Sequence, residues 1–410
     1  MRTVAIVTTG HEVLRGHTVN TNAAWLARHA TDAGARVRSV RTVGDDLDDL
    51  VAALEEAARE ASTVVVTGGL GPTEDDRSRE ALARVLGVPL EDDPAAWAGV
   101  ERYFVRAGRP PAPMQRRQAL VPRGAEVLDN DEGTAPGLLA RRGDTTFVLL
   151  PGPPREMQAM FRRHVLPRWR AQGGLDETAS RVVWTAGAPE SEIAAAIEDL
   201  MRAPEPVVGT HPDEGEVAVR LLARGPAAVA RADATVAEVV RRLGAHVVST
   251  DEETRVAHAV VALLRARRRV LTTAESLTGG LVARMVCAVP GASEAFRGGW
   301  VTYADAWKAR ALGVDPALIA RDGAVSEAVA RAMAEGARQR GDADLAVATT
   351  GVAGPGPDAR GVEAGTVHVA VATPAGTDHR LLRLPLPRLT VQRRAAVAAL
   401  DLVRRVLLRG

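Results

Sequence analysis

Ser276 and Lys308 are the residues of this 410-residue chain best suited to covalent chemistry. Lys308 is the only lysine, set against 51 arginines. Arginine keeps its proton in any folded protein, whereas a desolvated lysine can shed one and act as a base. A lone lysine in so arginine-biased a chain therefore reads in two ways: a position that needs a removable proton, or one surviving surface charge. Ser276 tips the balance toward the first. It lies in RVLTTAESLTGGLVARM, residues 269–285, between a β-prone run at Val270–Thr273 and an amphipathic stretch at Leu281–Val286. A hydroxyl at such a strand-to-helix turn is exposed, and the amides near Thr278, Gly279 and Gly280 are placed to hold an oxyanion or a phosphate. Serine with a neutral lysine as base is a known activated nucleophile. Alone, the same serine would serve as an N-cap.

Composition bounds the rest. The length suits two or three domains, each with its own core. Net charge is +1, with 52 basic and 51 acidic residues interspersed, which leaves no electrostatic footprint for nucleic acid. Aromatics make up only 3% of the chain, which argues against base-stacking platforms. The single Cys287 excludes an intrachain disulfide. MRTVAIVTTG reads as a strand rather than a signal peptide, and no run approaches a membrane span, so a soluble cytoplasmic protein is the expectation.

The elements that must position these residues alternate in period. Val4–Thr8, Arg36–Val43 and Thr63–Thr67 read as strands, with helices over Thr21–Ala33 and Leu47–Ala61 between them. This alternation predicts an α/β fold with a doubly wound, mostly parallel sheet over residues 1–172. Ligands bind such sheets beyond the carboxyl ends of the strands, where Gly10-His11-Glu12 and Gly68-Gly69-Leu70-Gly71-Pro72-Thr73-Glu74-Asp75-Asp76 lie. The glycines let backbone approach phosphate, and the Asp75–Asp76 pair could hold a divalent cation; a tight turn leading into an acidic helix start would look the same. Residues 178–251 predict a small α+β linker or dimerisation module without clustered chemistry. Residues 252–410 predict a further α/β domain carrying Ser276 and Lys308. There Leu345–Thr349 leads into Gly351-Val352-Ala353-Gly354-Pro355-Gly356-Pro357, a loop that could cradle phosphate or simply connect two strands. The closing arginine-rich helix, Thr390–Leu408, reads as a solvated face.

In these motifs the chain resembles the CinA family over nearly its full length. The N-terminal third is similar to molybdopterin-biosynthesis domains through Asn20-Thr21-Asn22, Thr67–Thr73 with Asp75-Asp76, Gly133–Gly137 and Leu150–Pro154. The C-terminal part resembles nicotinamide-nucleotide amidases through Ala274-Glu275-Ser276, Thr278-Gly279-Gly280, Val301-Thr302-Tyr303, Lys308, Gly323–Ser326 and Gly351 with Ala353-Gly354-Pro355.

The resemblance implies deamidation of nicotinamide mononucleotide, with Ser276 as nucleophile, Lys308 as base and Tyr303 as a supporting hydroxyl. Gly351, Ala353 and Gly354 would join Thr278–Gly280 in binding substrate, with no cofactor. For the N-terminal domain it implies hydrolysis of ADP-ribose using Mg²⁺, Mn²⁺ or Co²⁺ at Asp75 and Asp76. Gly10, Glu12, Asn22, Gly68, Gly69, Gly71 and Thr73 would bind the nucleotide. It also implies a homodimer acting on small nucleotides, without nucleic acid or membrane. The chain departs from the family at Leu277, at Ala304-Asp305-Ala306-Trp307 beside the site, at Glu363-Ala364 and at His11. A competing expectation is a non-catalytic adaptor for recombination proteins.

Overall fold

The computed structural model describes residues 1–409, which form two compact units. The first comprises Met1–Thr178 with Arg224–Ala228. Its six-stranded sheet runs in the order Arg36–Val43, Thr3–Thr9, Thr63–Thr67, Thr145–Leu150, Gly137–Arg142, Glu126–Leu128. The first four strands are parallel and the last two antiparallel. Both faces are covered: Ala5 and Val7 pack with Leu50, Leu54 and Leu82, while Val4 and Ile6 pack with Leu26, Met157 and Phe161. A strand buried on both faces has no polar alternation, which is why Val4–Val7 is continuously apolar. The doubly wound, parallel-rich architecture expected from the sequence is present.

The second unit comprises Ala179–Ala223 and the chain from Val229 onward. Its first part is a four-stranded sheet ordered Val207–Asp213, Glu216–Arg224, Thr178–Ala186, Val247–Ser249, packed on the helix Ala228–Leu243. Its second part is a five-stranded sheet ordered Phe296–Val301, Leu271–Glu275, Leu345–Gly351, Thr366–Thr373, Gly376–Arg383. The first three of these strands are parallel and the last two antiparallel. One face carries the helices Val256–Ala266 and Arg388–Arg409; the other carries Glu327–Arg340.

The closing helix is not the solvated face that its arginines suggested. Asp401 is fully buried and accepts from Arg404 Nε (3.0 Å) and Nη2 (2.6 Å) and from Arg405 Nε (2.7 Å). Arg404 is itself buried and donates onward to Val247 O (2.8 Å) and Ala245 O (2.6 Å) of the preceding sheet. A second clamp repeats this chemistry. Glu216, buried, accepts from Arg255 Nε (2.9 Å) and Val256 N (3.0 Å), and the Arg255 guanidinium lies 3.8 Å over Trp184. Burial raises the Glu216 carboxyl above its ordinary pKa, while the Arg255 charge opposes that rise.

Removing one partner from a buried pair strands the other. Asp401→Ala is therefore expected to destabilise the second unit by roughly 3–5 kcal/mol. Urea unfolding monitored by circular dichroism would show it, and a midpoint unchanged from wild type would refute the clamp.

Candidate active sites

The serine turn is built by the carboxylate next to it. Ser276 follows the interior strand Leu271–Glu275, and its amide donates to Thr349 O (2.9 Å) of the neighbouring strand. Glu275, buried, folds under the helix Leu281–Cys287. It accepts from Thr278 Oγ1 (2.7 Å), Gly280 N (3.0 Å), Val282 N (3.0 Å) and Ala283 N (2.8 Å). A helix N-terminus has unpaired amides and a partial positive charge, and here a side chain of the same chain satisfies both. The Gly279 amide is also taken, by Ser276 O at 3.1 Å. The Thr278 hydroxyl and the Gly279 and Gly280 amides, expected to bind substrate, are thus engaged within the chain, and none of these three residues lines the cavity beside Ser276. The two glycines are there for conformation: their φ values of +61° and +97° belong to the left-handed region.

That cavity has a volume of about 390 Å³. Ser276, Tyr303, Lys308, Gly351, Ala353 and Gly354 all line it, as do Thr350, Asp305, Arg360 and Arg388. Lys308 stands on the helix Asp305–Leu312 with only 1% of its side chain exposed. Its Nζ donates to Tyr303 O and to Asp305 Oδ1, each at 3.3 Å. Burial lowers the lysine's pKa from its ordinary value, with the Asp305 carboxylate pulling the other way. The only lysine is thus withdrawn from bulk water into the cavity that holds Ser276. The two side chains share this space without a hydrogen bond between them, Nζ being held instead by its own helix start.

Two groups at this site were not legible as site residues. Arg388, at the start of the closing helix, donates to Gly354 O (2.7 Å) and to Tyr303 Oη (2.9 Å). Arg360 donates to Ala320 O (2.5 Å) at the end of the helix Pro316–Asp322 and so ties down the cavity loop. Asp305, in the stretch that departs from the family, supplies the carboxylate that holds Lys308. Glu363, at another departure, is exposed and lies outside the lining.

In the first unit a cavity of about 450 Å³ opens at the carboxyl ends of the parallel strands. Glu12, Asn22, Gly68, Gly69, Gly71 and Asp76 line it; Gly10, Thr73 and Asp75 do not. Asp75 is exposed in the turn ahead of the helix Ser78–Leu86, and Asp76 accepts from Thr73 N (2.9 Å) and Thr73 Oγ1. The structure thus separates the acidic pair, Asp76 lining the cavity and Asp75 not, and among the described residues no group of three or more His, Cys, Asp or Glu is placed to hold an ion. Gly69, at φ +65°, is packed so closely on Ser78 that any Cβ would collide with its hydroxyl. His11, at the turn after the first strand, is paired with Asp45 (Nδ1 to Oδ2, 2.7 Å).

This cavity has an unusual charge balance. Glu12, Asp76 and Glu156 line it, and no lysine, arginine or histidine does, among the described residues. Burial raises the Glu156 pKa, while the hydrogen bond from Asn130 Nδ2 (2.6 Å) opposes the rise. Asn22 Nδ2 donates to Gly152 O (2.6 Å), but its Oδ1 is buried without a partner, as is Gln118 Oε1. Both side chains line the cavity, where a ligand's donors would satisfy them.

Comparison with known proteins agrees with these features. Residues 5–171 match the probable molybdopterin binding domain, 180–249 the damage-inducible protein CinA KH domain, and 253–407 the CinA C-terminal domain. A CinA-like protein of Anaeromyxobacter sp. is 43% identical across 98% of each chain. One from Frankia casuarinae is 42% identical, covering 98% of this chain and 95% of its own. A solved CinA structure from Thermoplasma acidophilum is 36% identical over 40% of this chain and 95% of its own, with a TM-score of 0.38. With relatives of this identity matched from end to end, the chain belongs to the CinA family.

Proposed function

We propose that the C-terminal domain is a serine–lysine amidase that converts nicotinamide mononucleotide and water to nicotinic acid mononucleotide and ammonia. One observation carries this reading: the only lysine of the chain is buried in the cavity that contains Ser276. An unprotonated amine there can act as a base, which none of the surrounding guanidinium groups can do.

Lys308 removes the Ser276 hydroxyl proton as Oγ bonds to the carboxamide carbon. The tetrahedral adduct collapses with cleavage of the C–N bond, and Lys308 returns the proton it took, through Tyr303, to the departing nitrogen, which leaves as ammonia while the lysine becomes neutral again. Tyr303 Oη accepts from Arg388 and keeps its own proton free to donate toward that nitrogen. Water then attacks the acyl-serine, with Lys308 again removing the proton. Because Glu275 saturates the amides of the serine helix, we assign the substrate's phosphate to Arg388 and Arg360. Guanidinium forks suit its geometry.

The N-terminal cavity we read as a nucleotide site, with ADP-ribose as the candidate ligand. A cavity with carboxylates and no cation repels a diphosphate. A divalent ion would have to arrive shared with the ligand's phosphates, as Mg²⁺ commonly does.

Lys308→Arg keeps charge and approximate reach but abolishes the base. Amidase turnover, read as ammonia release, should fall at least about a hundredfold, and undiminished turnover would sink the assignment. Ser276→Ala should likewise eliminate activity; a folded, intact wild type without turnover would favour an adaptor role instead. The rate should rise with pH as Lys308 loses its proton. Asp305→Asn removes a neighbour that stabilises the ammonium, so this limb of kcat/KM should move to lower pH; an unmoved limb would exclude Lys308 as the titrating base. For the N-terminal cavity, calorimetry should detect ADP-ribose binding with Mg²⁺ and lose it in EDTA, and equal affinity in both would contradict the charge argument.

A further inference from the structure

Two histidines that this mechanism leaves unused face each other on neighbouring strands of the C-terminal sheet. His368 Nδ1 and His379 Nε2 are 3.0 Å apart, with the rings stacked at 25° and their centroids separated by 5.2 Å. His379, whose side chain is only 9% exposed, turns its other nitrogen, Nδ1, to Glu327 Oε2 at 3.3 Å. That carboxylate, ion-paired with His379 Nδ1, favours the tautomer with its proton on Nδ1, which leaves Nε2 to accept from His368 Nδ1–H.

Both ends of this relay reach one wall of the amidase cavity. Glu327 opens the helix Glu327–Arg340, which is capped by Ser326 and immediately preceded by Ala324 and Val325. His368 lies directly across the sheet from Thr350, whose Oγ1 donates to Ala324 O at 2.7 Å. Ala324, Val325 and Thr350 line the cavity.

We propose that Glu327, His379 and His368 are positioning residues that hold the Ala324–Thr350 wall of the amidase cavity, and that a second proton on the histidine pair releases it. One proton is tolerated. An imidazolium at His379 remains between Glu327 and a neutral His368, donating Nε2–H to His368 Nδ1. Two protons set N–H against N–H at the same contact and place two cations side by side.

The surroundings oppose that state. On the helix, Arg331 pairs with Glu327 at 2.7 Å and donates to Thr377 O. On the outer strand, Arg383 lies opposite Thr366, on the same sheet face as the pair. The helix N-terminus adds partial positive charge. The acids on this face are Glu327 and Glu335, and Glu335 is engaged by Thr377 Oγ1 at 2.7 Å. Burial, then charge, holds His368 below the ordinary histidine pKa, and burial does the same for His379. With both pKa values depressed, the relay's stabilisation is complete above about pH 6.5 and is lost as pH falls through the lower folded-state values.

The inference rests on the amidase reading only for its kinetic readout. Hydrogen exchange at residues 326–330 and NMR titration of the histidine side chains test it on the full chain without turnover. In wild type, protection of the first helical turn should fall as pH drops below about 6.5, by at most about tenfold per pH unit for each coupled proton. KM for nicotinamide mononucleotide should rise in the same window, more than kcat falls. His368→Gln and, independently, His379→Gln should remove both transitions, each variant being checked for folding by circular dichroism at pH 8. Glu327→Gln removes the carboxylate that favours the imidazolium, so it should move the transition to lower pH. A wild-type acid transition that persists in the glutamine variants, or histidines that titrate independently with the helix unchanged, would overturn the proposal. Absence of turnover in every variant would count against the amidase reading, while the exchange result would still decide this one.

Discussion

The C-terminal half of the molecule depends on keeping one ammonium group out of water. Desolvation disfavours the charged form, and only a well-placed acceptor shell makes the position tolerable. Lys308 is given just two acceptors, a backbone carbonyl and the Asp305 carboxylate, both contributed within five residues of itself. Such a shell is sufficient to hold the amine in place but does not fix it firmly in the charged state. A third or fourth partner would make it a structural ion pair. The balance is that of a group poised to exchange a proton, and the elements around it are arranged to keep water away rather than to neutralise it.

Carboxylates elsewhere in the chain are used in the opposite way, to saturate donors. Glu275 closes the amides of one helix, Glu216 takes an amide and a guanidinium, and Asp401 gathers two arginines beneath the closing helix. Each removes donors that an anionic ligand could otherwise have used. The cations left facing the cavity beside Ser276 are therefore side chains on loops and helix starts, Arg360 and Arg388, rather than backbone. The first unit goes further and presents no side-chain cation to its cavity at all. The two cavities of one chain thus differ in the charge that they present.

Much of this was legible in the residues. Alternating apolar runs with helical spacing between them gave the parallel-rich sheets, and the position of Ser276 near a strand end followed from the β-prone run Val270–Thr273 leading to two glycines. Lys308 was conspicuous because it was alone. What could not be read was direction and distance. Glu275 is one residue from Ser276, and nothing in its spacing says that its carboxylate turns under the helix and consumes the amides reserved for a ligand. Arg388 is 80 positions beyond Lys308 in a run of arginines that looks like a solvated helix. Asp75 and Asp76 are adjacent, yet one faces solvent and the other closes a local turn. His368 and His379 meet only because a tight antiparallel pairing sets them diagonally across two strands.

The arginine bias has one more consequence. With a single ε-amine in the whole chain, and that one sequestered, the folded surface offers acylating enzymes and amine-directed crosslinkers almost nothing beyond the chain's α-amine. Conjugation to lysine, whether by acetyl groups or by ubiquitin-like tags, has no surface site on which to act. Any small electrophile that does label an ε-amine must have entered the cavity to reach it.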